Sequence, residues 1–283
     1  MKNLLFLGTI ILLISSSCEK IDNDVFFKLG SGQEYKFSDI ALYDTSTHIL
    51  YFRKDQDYLR KMYENTFTFL NNGELIYQGS FVPGYSSSLP VGPFIHSPSM
   101  YGTHALRIDN WFHPDKPDVR KDPKMINVLN HHNLLHSGLH ISSSSIDLIS
   151  TQLTFKFTVT NHDQTDLLIL DLNKTGPNLF HYFTNGLFIY NLAHIEVFSN
   201  NIQHQTPDPW NSWNIEWLSE LKSGDSREFT ITYTIENPLT PGEYETTFEF
   251  PGLGHQVTKD QLYQGNCRIW LGDISLNKKV IIQ

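Results

Sequence analysis

Cysteine is almost missing from this chain: two occur among 283 residues, Cys18 and Cys267. A disulfide framework is excluded, so a fold of this size must be held by apolar cores. Basic residues are scarce too. Lys and Arg number 21 against 30 Asp and Glu, giving a net charge of −9. Such a chain repels phosphate backbones, and no nucleic-acid partner is expected. The basic cluster Arg120, Lys121 and Lys124 is interleaved with Asp118 and Asp122 and reads as a solvated loop. No apolar run after residue 18 approaches the roughly 20 residues that cross a bilayer core. Catalytic signatures are missing as well: there is no H-E-x-x-H, no G-x-S-x-G and no glycine-rich phosphate loop behind a strand. Neither a cofactor nor a metal is expected.

What the chain does have begins at its start. After Lys2, residues 4–14 form a short apolar run, followed by Ser15, Ser16, Ser17 and then Cys18. A charged opening, a short apolar run and small residues are the parts of a secretory signal. The stretch resembles a bacterial lipoprotein signal peptide, which implies removal of residues 1–17 and lipid on Cys18. The following EKIDND is acid-rich and reads as a tether over residues 18–24. It is similar to the acidic stretch behind the lipid cysteine in surface lipoproteins of Bacteroidota-type bacteria. Glu19, rather than Asp, favours the outer membrane; the resemblance leaves open whether the protein faces the surface or the periplasm.

From Val25 onward the text is mostly β. VFFKL, DIALYD, HILYFRK and NTFTFL are short runs rich in aromatic and branched residues. Asn71-Asn72-Gly73 between TFTFL and ELIYQG supplies residues that accept positive φ, so a hairpin is expected there. Residues 82–100 hold four prolines, which donate no ladder bond, and read as a long surface loop. THALRID gives another strand. MINVLNHHNLLHSG carries apolar residues near helical spacing, with Gly138 as a stop, and predicts the main helix of the first half. A β-rich domain is therefore expected over residues 25–138.

The second half, residues 139–283, is expected to be a β-sandwich domain. Leu153, Phe155, Phe157 and Val159 alternate with Thr154, Lys156 and Thr158, so one face packs and the other is wet. Residues 161–165 read as a turn, and LLILDL returns as a buried strand. With GDSREFTITYTI, PLTPGEYETTFEF and NCRIWLGDI, the stretch from about residue 140 resembles the immunoglobulin-like sandwiches of bacterial envelope proteins. It is similar, more faintly, to the BsuPI-type proteinase-inhibitor fold. The resemblance implies a fold and no activity, because such sandwiches serve adhesion, inhibition and assembly alike. Cys267, in an apolar run, reads as a buried small hydrophobe.

Several clusters invite chemistry. His132, His136 and His140 are spaced by four, but Gly138 interrupts any helix through them. Asp163, Asp166 and Asp171 lack calcium-loop spacing, and the first two fit a turn. Ser86–Ser88 and Ser142–Ser145 read as loop serines, and Glu216 with Glu220 as the wet face of a short helix. PWNSWNIEWL is different. Trp210, Trp213 and Trp217 fall at i, i+3 and i+7, which stacks three indoles on one helix face. Such a face is either packed on the core or offered to a sugar ring or partner protein.

The expectation is a mostly β, two-domain, lipid-anchored envelope protein. It acts as a binding or assembly module rather than an enzyme, with the membrane and an envelope protein or glycan as partners. The alternatives are a carbohydrate-binding lipoprotein of a glycan-uptake system and a hydrolase whose site has no recognisable motif.

Overall fold

The computed structural model describes residues 24–56, 65–84, 86, 90–97, 99–111, 117–182, 184, 186–200, 209–210 and 212–282. Cys18 and most of the expected tether lie outside these residues, as do Ser87 and Ser88.

The chain is mostly β, with two α-helices among the described residues. The first half builds two sheets. One contains β1 (Val25–Leu29), β2 (Glu34–Lys36), β5 (Thr66–Asn71), β6 (Glu74–Pro83), β7 (Gly92–Ser97) and β9 (Asp109–Trp111), ordered β2-β1-β5-β6-β7-β9. The other orders β10 (Leu135–His136), β3 (Ile40–Asp44), β4 (Ile49–Phe52) and β8 (Ala105–Arg107) as β10-β3-β4-β8. Phe27, Phe67 and Phe69 of the first sheet meet Tyr43, Leu50 and Phe52 of the second in one buried cluster. Helix α1 (Pro123–His131) adds Met125, Val128 and Leu129. Full burial of such side chains contributes about 1.5–3 kcal/mol apiece, so this aromatic core holds the first half without a disulfide.

The hairpin at Asn71–Glu74 forms as expected, with Asn72 and Gly73 at φ of 50° and 78°. Residues 82–100 differ from the expected loop. They contain β7, whose Phe94 and Ile95 are buried, lying parallel to β6 and antiparallel to β9. Pro90 precedes the strand and Pro93 is its second residue, positions where proline's missing N–H costs the ladder least. The expected helix is also shorter. Asp122 caps α1 by accepting from the Lys124 N–H at 2.7 Å, Pro123 opens it, and Asn133 at φ 55° ends it. His132, His136 and His140 consequently fall on the helix cap, on β10 and on the next strand, not on one face.

The second half is a sandwich. One sheet orders β11 (Leu139–Ile149), β12 (Gln152–Asn161) and β17 (Ser226–Thr234). The facing sheet orders β15 (Glu196–Ser199), β14 (Leu187–Asn191), β18 (Gly242–Pro251) and β21 (Asp273–Ile282). Leu153, Phe155, Phe157 and Val159 are all buried, as their alternation predicts. The Phe248 ring centroid lies 4.6 Å from both Phe155 and Phe157. A smaller sheet, β16 (Leu218–Leu221), β13 (Leu167–Leu170), β20 (Cys267–Ile269) and β19 (Tyr263–Gln264), completes this half. Helix α2 (Leu172–Phe180), capped by Asp171 and kinked at Gly176-Pro177, follows β13. Ser142–Ser145 stand within β11 rather than in a loop. The Asn161 side chain shapes the turn before β13, accepting from the Asp163 N–H and donating to the carbonyls of Thr165 and Leu221.

The two halves meet through β4. All four of its residues are buried. Leu50 and Phe52 belong to the first core, while Ile49 and Tyr51 join the second together with Leu42 and Ala105. One thin sheet is therefore apolar on both faces, which is why HILYF reads as a continuous run rather than an alternation. Gly138, between β10 and β11, lies against this seam at φ 62°. A Cβ there would come within 2.3 Å of Asp44 Oδ1, so only glycine lets the chain pass.

Candidate functional site

A cleft of about 370 Å³ opens where the ends of the first-half strands meet the second half. Its walls include Tyr101, Arg107, Trp210, Leu253, His255 and Asp273. Three features of the local chain place them.

The first is the switch between β8 and β9. Ile108 is fully buried, and its N–H donates to the His48 carbonyl at 3.0 Å. The chain leaves one sheet and enters the other at this residue. Arg107 and Asp109 flank it two positions apart, so they project to the same side. Arg107 Nε lies 2.9 Å from Asp109 Oδ1.

The second is the start of β21. Arg107 also grips Asp273 with both terminal nitrogens, Nη2 donating to Oδ1 at 3.0 Å and Nη1 to Oδ2. Nη1 further donates to the Tyr101 hydroxyl at 3.1 Å. This two-pronged pair joins the halves, because Arg107 and Asp273 are 166 positions apart. Burial works against the Arg107 charge, but Tyr101, Asp273 and Asp109 outweigh it and hold the guanidinium well above its ordinary range. Burial also pushes the Tyr101 phenol up, and Glu249 is raised by burial and by the nearby Asp273.

The third is the PGLGH segment after β18. The Gly252 N–H donates to the Gly272 carbonyl at 2.6 Å, and the Gly272 N–H to the Leu253 carbonyl at 2.9 Å. A Cβ on Gly252 would meet that Gly272 oxygen at 2.6 Å, and Gly272 itself sits at φ 97°. These glycines let the segment run against β21 and turn His255 into the cleft. Trp210 packs over it with ring centroids 4.5 Å apart and keeps 45% of its surface exposed.

Behind the cleft, the same run of chain that ends at Asp273 begins with a buried ionic cluster. Arg268 Nη2 donates to Asp44 Oδ2 at 2.8 Å and to Asp163 Oδ2 at 2.9 Å. Its guanidinium lies 5.5 Å from the Tyr51 ring centre. Trp270 Nε1 donates to Ser46 Oγ, which in turn donates to Asp44 Oδ1. Asp163 Oδ1 pairs with His136 Nδ1 at 2.8 Å. Burial raises the Asp163 carboxyl, but the His136 hydrogen bond and the Arg268 charge overcome it and hold it well below the usual carboxylate range. Arg268 is pushed above its ordinary value: burial opposes its charge, and Asp44 with Asp163 more than restores it.

The tryptophans do not share a helix. Asn214 caps a single tight turn at Ile215–Trp217, and Trp210 lies in a separate turn. Two flanking prolines and asparagine's preference for capping leave too few residues for an α-helix. Trp210 alone of the three lines the cleft. Trp213 and Trp217 are half-buried against the second core, and Trp213 Nε1 donates to Gln261 Oε1 at 3.3 Å. Glu216 lies in the turn and Glu220 on β16, so they share no helix face. Asp163 and Asp171 act as structural acceptors, one for Arg268 and one at the α2 cap.

Cys267 is half-buried rather than in the apolar core, since β20 reaches the surface there. Its sulfur and the carboxylates of Asp166 and Glu220 lie within 4.8 Å of one another. Burial and those two carboxylates push the thiol up, so it stays protonated at neutral pH.

Tyr101, Arg107, Asp109, His255 and Asp273 carry no motif, and sequence reasoning passed over them. Their available signal was the glycine pair in PGLGH.

No protein-family model and no curated protein sequence matches the chain. Among solved structures it is similar to a β-glucosidase from Listeria innocua in complex with glucose, at 10% identity and a TM-score of 0.20. The match covers 48% of this chain and spans 16% of that protein's length.

Proposed function

We propose that the chain is an exported protein, anchored to the outer membrane by lipid on Cys18, that takes a small ligand or one end of a larger one into the seam cleft. Trp210 carries this reading. A large aromatic ring left 45% exposed at the mouth of a formed cavity is what a binding site offers and a folded core does not. The cleft floor supports it: one guanidinium holds Asp109, Asp273 and Tyr101 in fixed positions, an arrangement suited to orienting a ligand.

A protein partner is a second reading. It is favoured by Leu192 and Ile195, both more than half exposed at the turn between β14 and β15.

The test is a titration of the full chain with fractionated cell-envelope extract, followed by tryptophan fluorescence. Quenching or enhancement in the wild type that disappears in Trp210→Ala supports the cleft. A signal that persists unchanged in Trp210→Ala would contradict it.

A further inference from the structure

The lining chemistry narrows the ligand, given the reading of the cleft as a binding site: we infer that it takes a neutral sugar ring, stacked on Trp210 and held through its hydroxyls by Asp109 and Asp273.

Charge decides the first step. Among the described lining residues Arg107 is the one Lys or Arg, and two carboxylates already share it, which leaves the group one negative charge in excess. A phosphate or carboxylate ligand would find no free positive partner there and would pay to approach two anions. A uronic acid is excluded on the same ground.

The carboxylates then set what is needed from the ligand. Asp273 uses one lone pair on each oxygen for Arg107, and Asp109 faces Arg107 Nε as an ion pair at 2.9 Å. An ionised carboxylate offers about four acceptor positions, so both retain capacity and both are partly exposed. They accept only. The ligand must therefore present O–H or N–H donors.

Other lining groups ask for the converse. His96 Nδ1, His255 Nε2 and Gln256 Nε2 are buried and have no hydrogen-bond partner among the described residues. The proton of a neutral imidazole can sit on either nitrogen, so either ring can donate to or accept from a group in the cleft. The Gln256 amide nitrogen only donates, since its Oε1 is taken by the Gly254 N–H at 3.0 Å. A cationic amine has donors but nothing for Gln256 to donate to. A hydroxyl both donates and accepts, and a ring bearing several answers both sets of groups at once.

Shape completes the case. Trp210, Tyr101, Met100 and Leu253 give the cleft flat apolar surface, which suits the C–H face of a pyranose. A volume of about 370 Å³ sits at the small end of ligand pockets and suits a chain end better than a long internal segment.

The experiment is isothermal titration calorimetry of the full chain. The panel holds neutral hexoses, N-acetylhexosamines and their di- and trisaccharides, with glucuronate and tryptamine as anionic and cationic probes. At least one neutral saccharide should bind, glucuronate should not, and Trp210→Ala should weaken the binding about ten-fold or more at an unchanged melting temperature. Trp210→Phe should recover part of the loss. Binding of tryptamine, dependent on Trp210, with no saccharide bound would overturn the sugar assignment while leaving the cleft as a ligand site. Saccharide binding unaltered by Trp210→Ala would overturn both. No binding by any panel member would overturn the sugar assignment, and the envelope-extract titration then decides the cleft by itself.

Discussion

Arg268 on β20 and Asp44 at the end of β3 stand 224 positions apart in the chain and 2.8 Å apart in the fold, both fully buried. Asp163 shares the same guanidinium nitrogen. Two carboxylates from different halves thus share one cation, and removing it leaves both charges buried without it. Arg268→Met should destabilise the chain by about 3–5 kcal/mol, read from urea denaturation at neutral pH. Arg268→Lys should recover only part of this, because the lysine side chain is one bond shorter and its ammonium falls short of the Nη2 position that both carboxylates share. A loss below about 1 kcal/mol in Arg268→Met, the range of exposed pairs, would remove the cluster from the account of how the halves are joined.

Stability should fall on mild acidification. His181 is buried against Tyr233 with its pKa lowered by burial to about 3, and burial likewise takes His48 to about 3, the nearby Arg120 adding to the effect. Each folded value lies below the unfolded value of about 6.5, so the unfolded chain binds the extra proton. Stability is then full above about pH 6.5 and is lost as pH falls toward 3, by up to about 1.4 kcal/mol per pH unit per histidine. Asp163, also lowered, adds a loss of the same sign below about pH 4. His181→Gln keeps a partner for Tyr233 and should flatten the slope between pH 6 and 4. An unchanged slope in that variant would show that His181 does not carry its share.

The tryptophans should separate by role. Trp213 packs against the second core, and Trp213→Ala should cost about 2 kcal/mol, less than the 3–5 of a fully buried ring. Trp210→Ala should cost less than about 0.5 kcal/mol, as for other substitutions of exposed side chains. Melting curves of the two variants test the difference. Equal losses would mean that Trp210 is part of the core.

Mass spectrometry of the mature N-terminal peptide should find lipid on Cys18, and Cys18→Ala should move the protein from the membrane to the soluble fraction. An unmodified chain beginning at another residue would end the lipid-anchor proposal.

The alternating and continuous apolar runs made most strands legible. Leu153 to Val159 shows a two-residue period because β12 has one wet face, and Ile49 to Phe52 is continuous because β4 has none. The Asn72-Gly73 turn was equally plain, since positive φ has few residue solutions. Local rules failed where distant chain intervened. Residues 92–97 form a strand despite Pro93 because β6 and β9 flank them, and the tryptophan stretch ends its helical period in one capped turn. The cleft was not legible for a different reason. Arg107 and Asp273 belong to the same site only because two sheets and a sandwich bring them together, and no spacing along the chain records that.

The most direct measurement for the cleft is hydrogen–deuterium exchange of the full chain, with and without the small-molecule fraction of envelope extract. Ligand in the cleft should slow exchange at residues 99–107 and 252–256 and leave the turn at residues 191–196 unchanged. Protection at residues 191–196 with none at 252–256 would contradict the account and favour a protein partner on the β14–β15 turn.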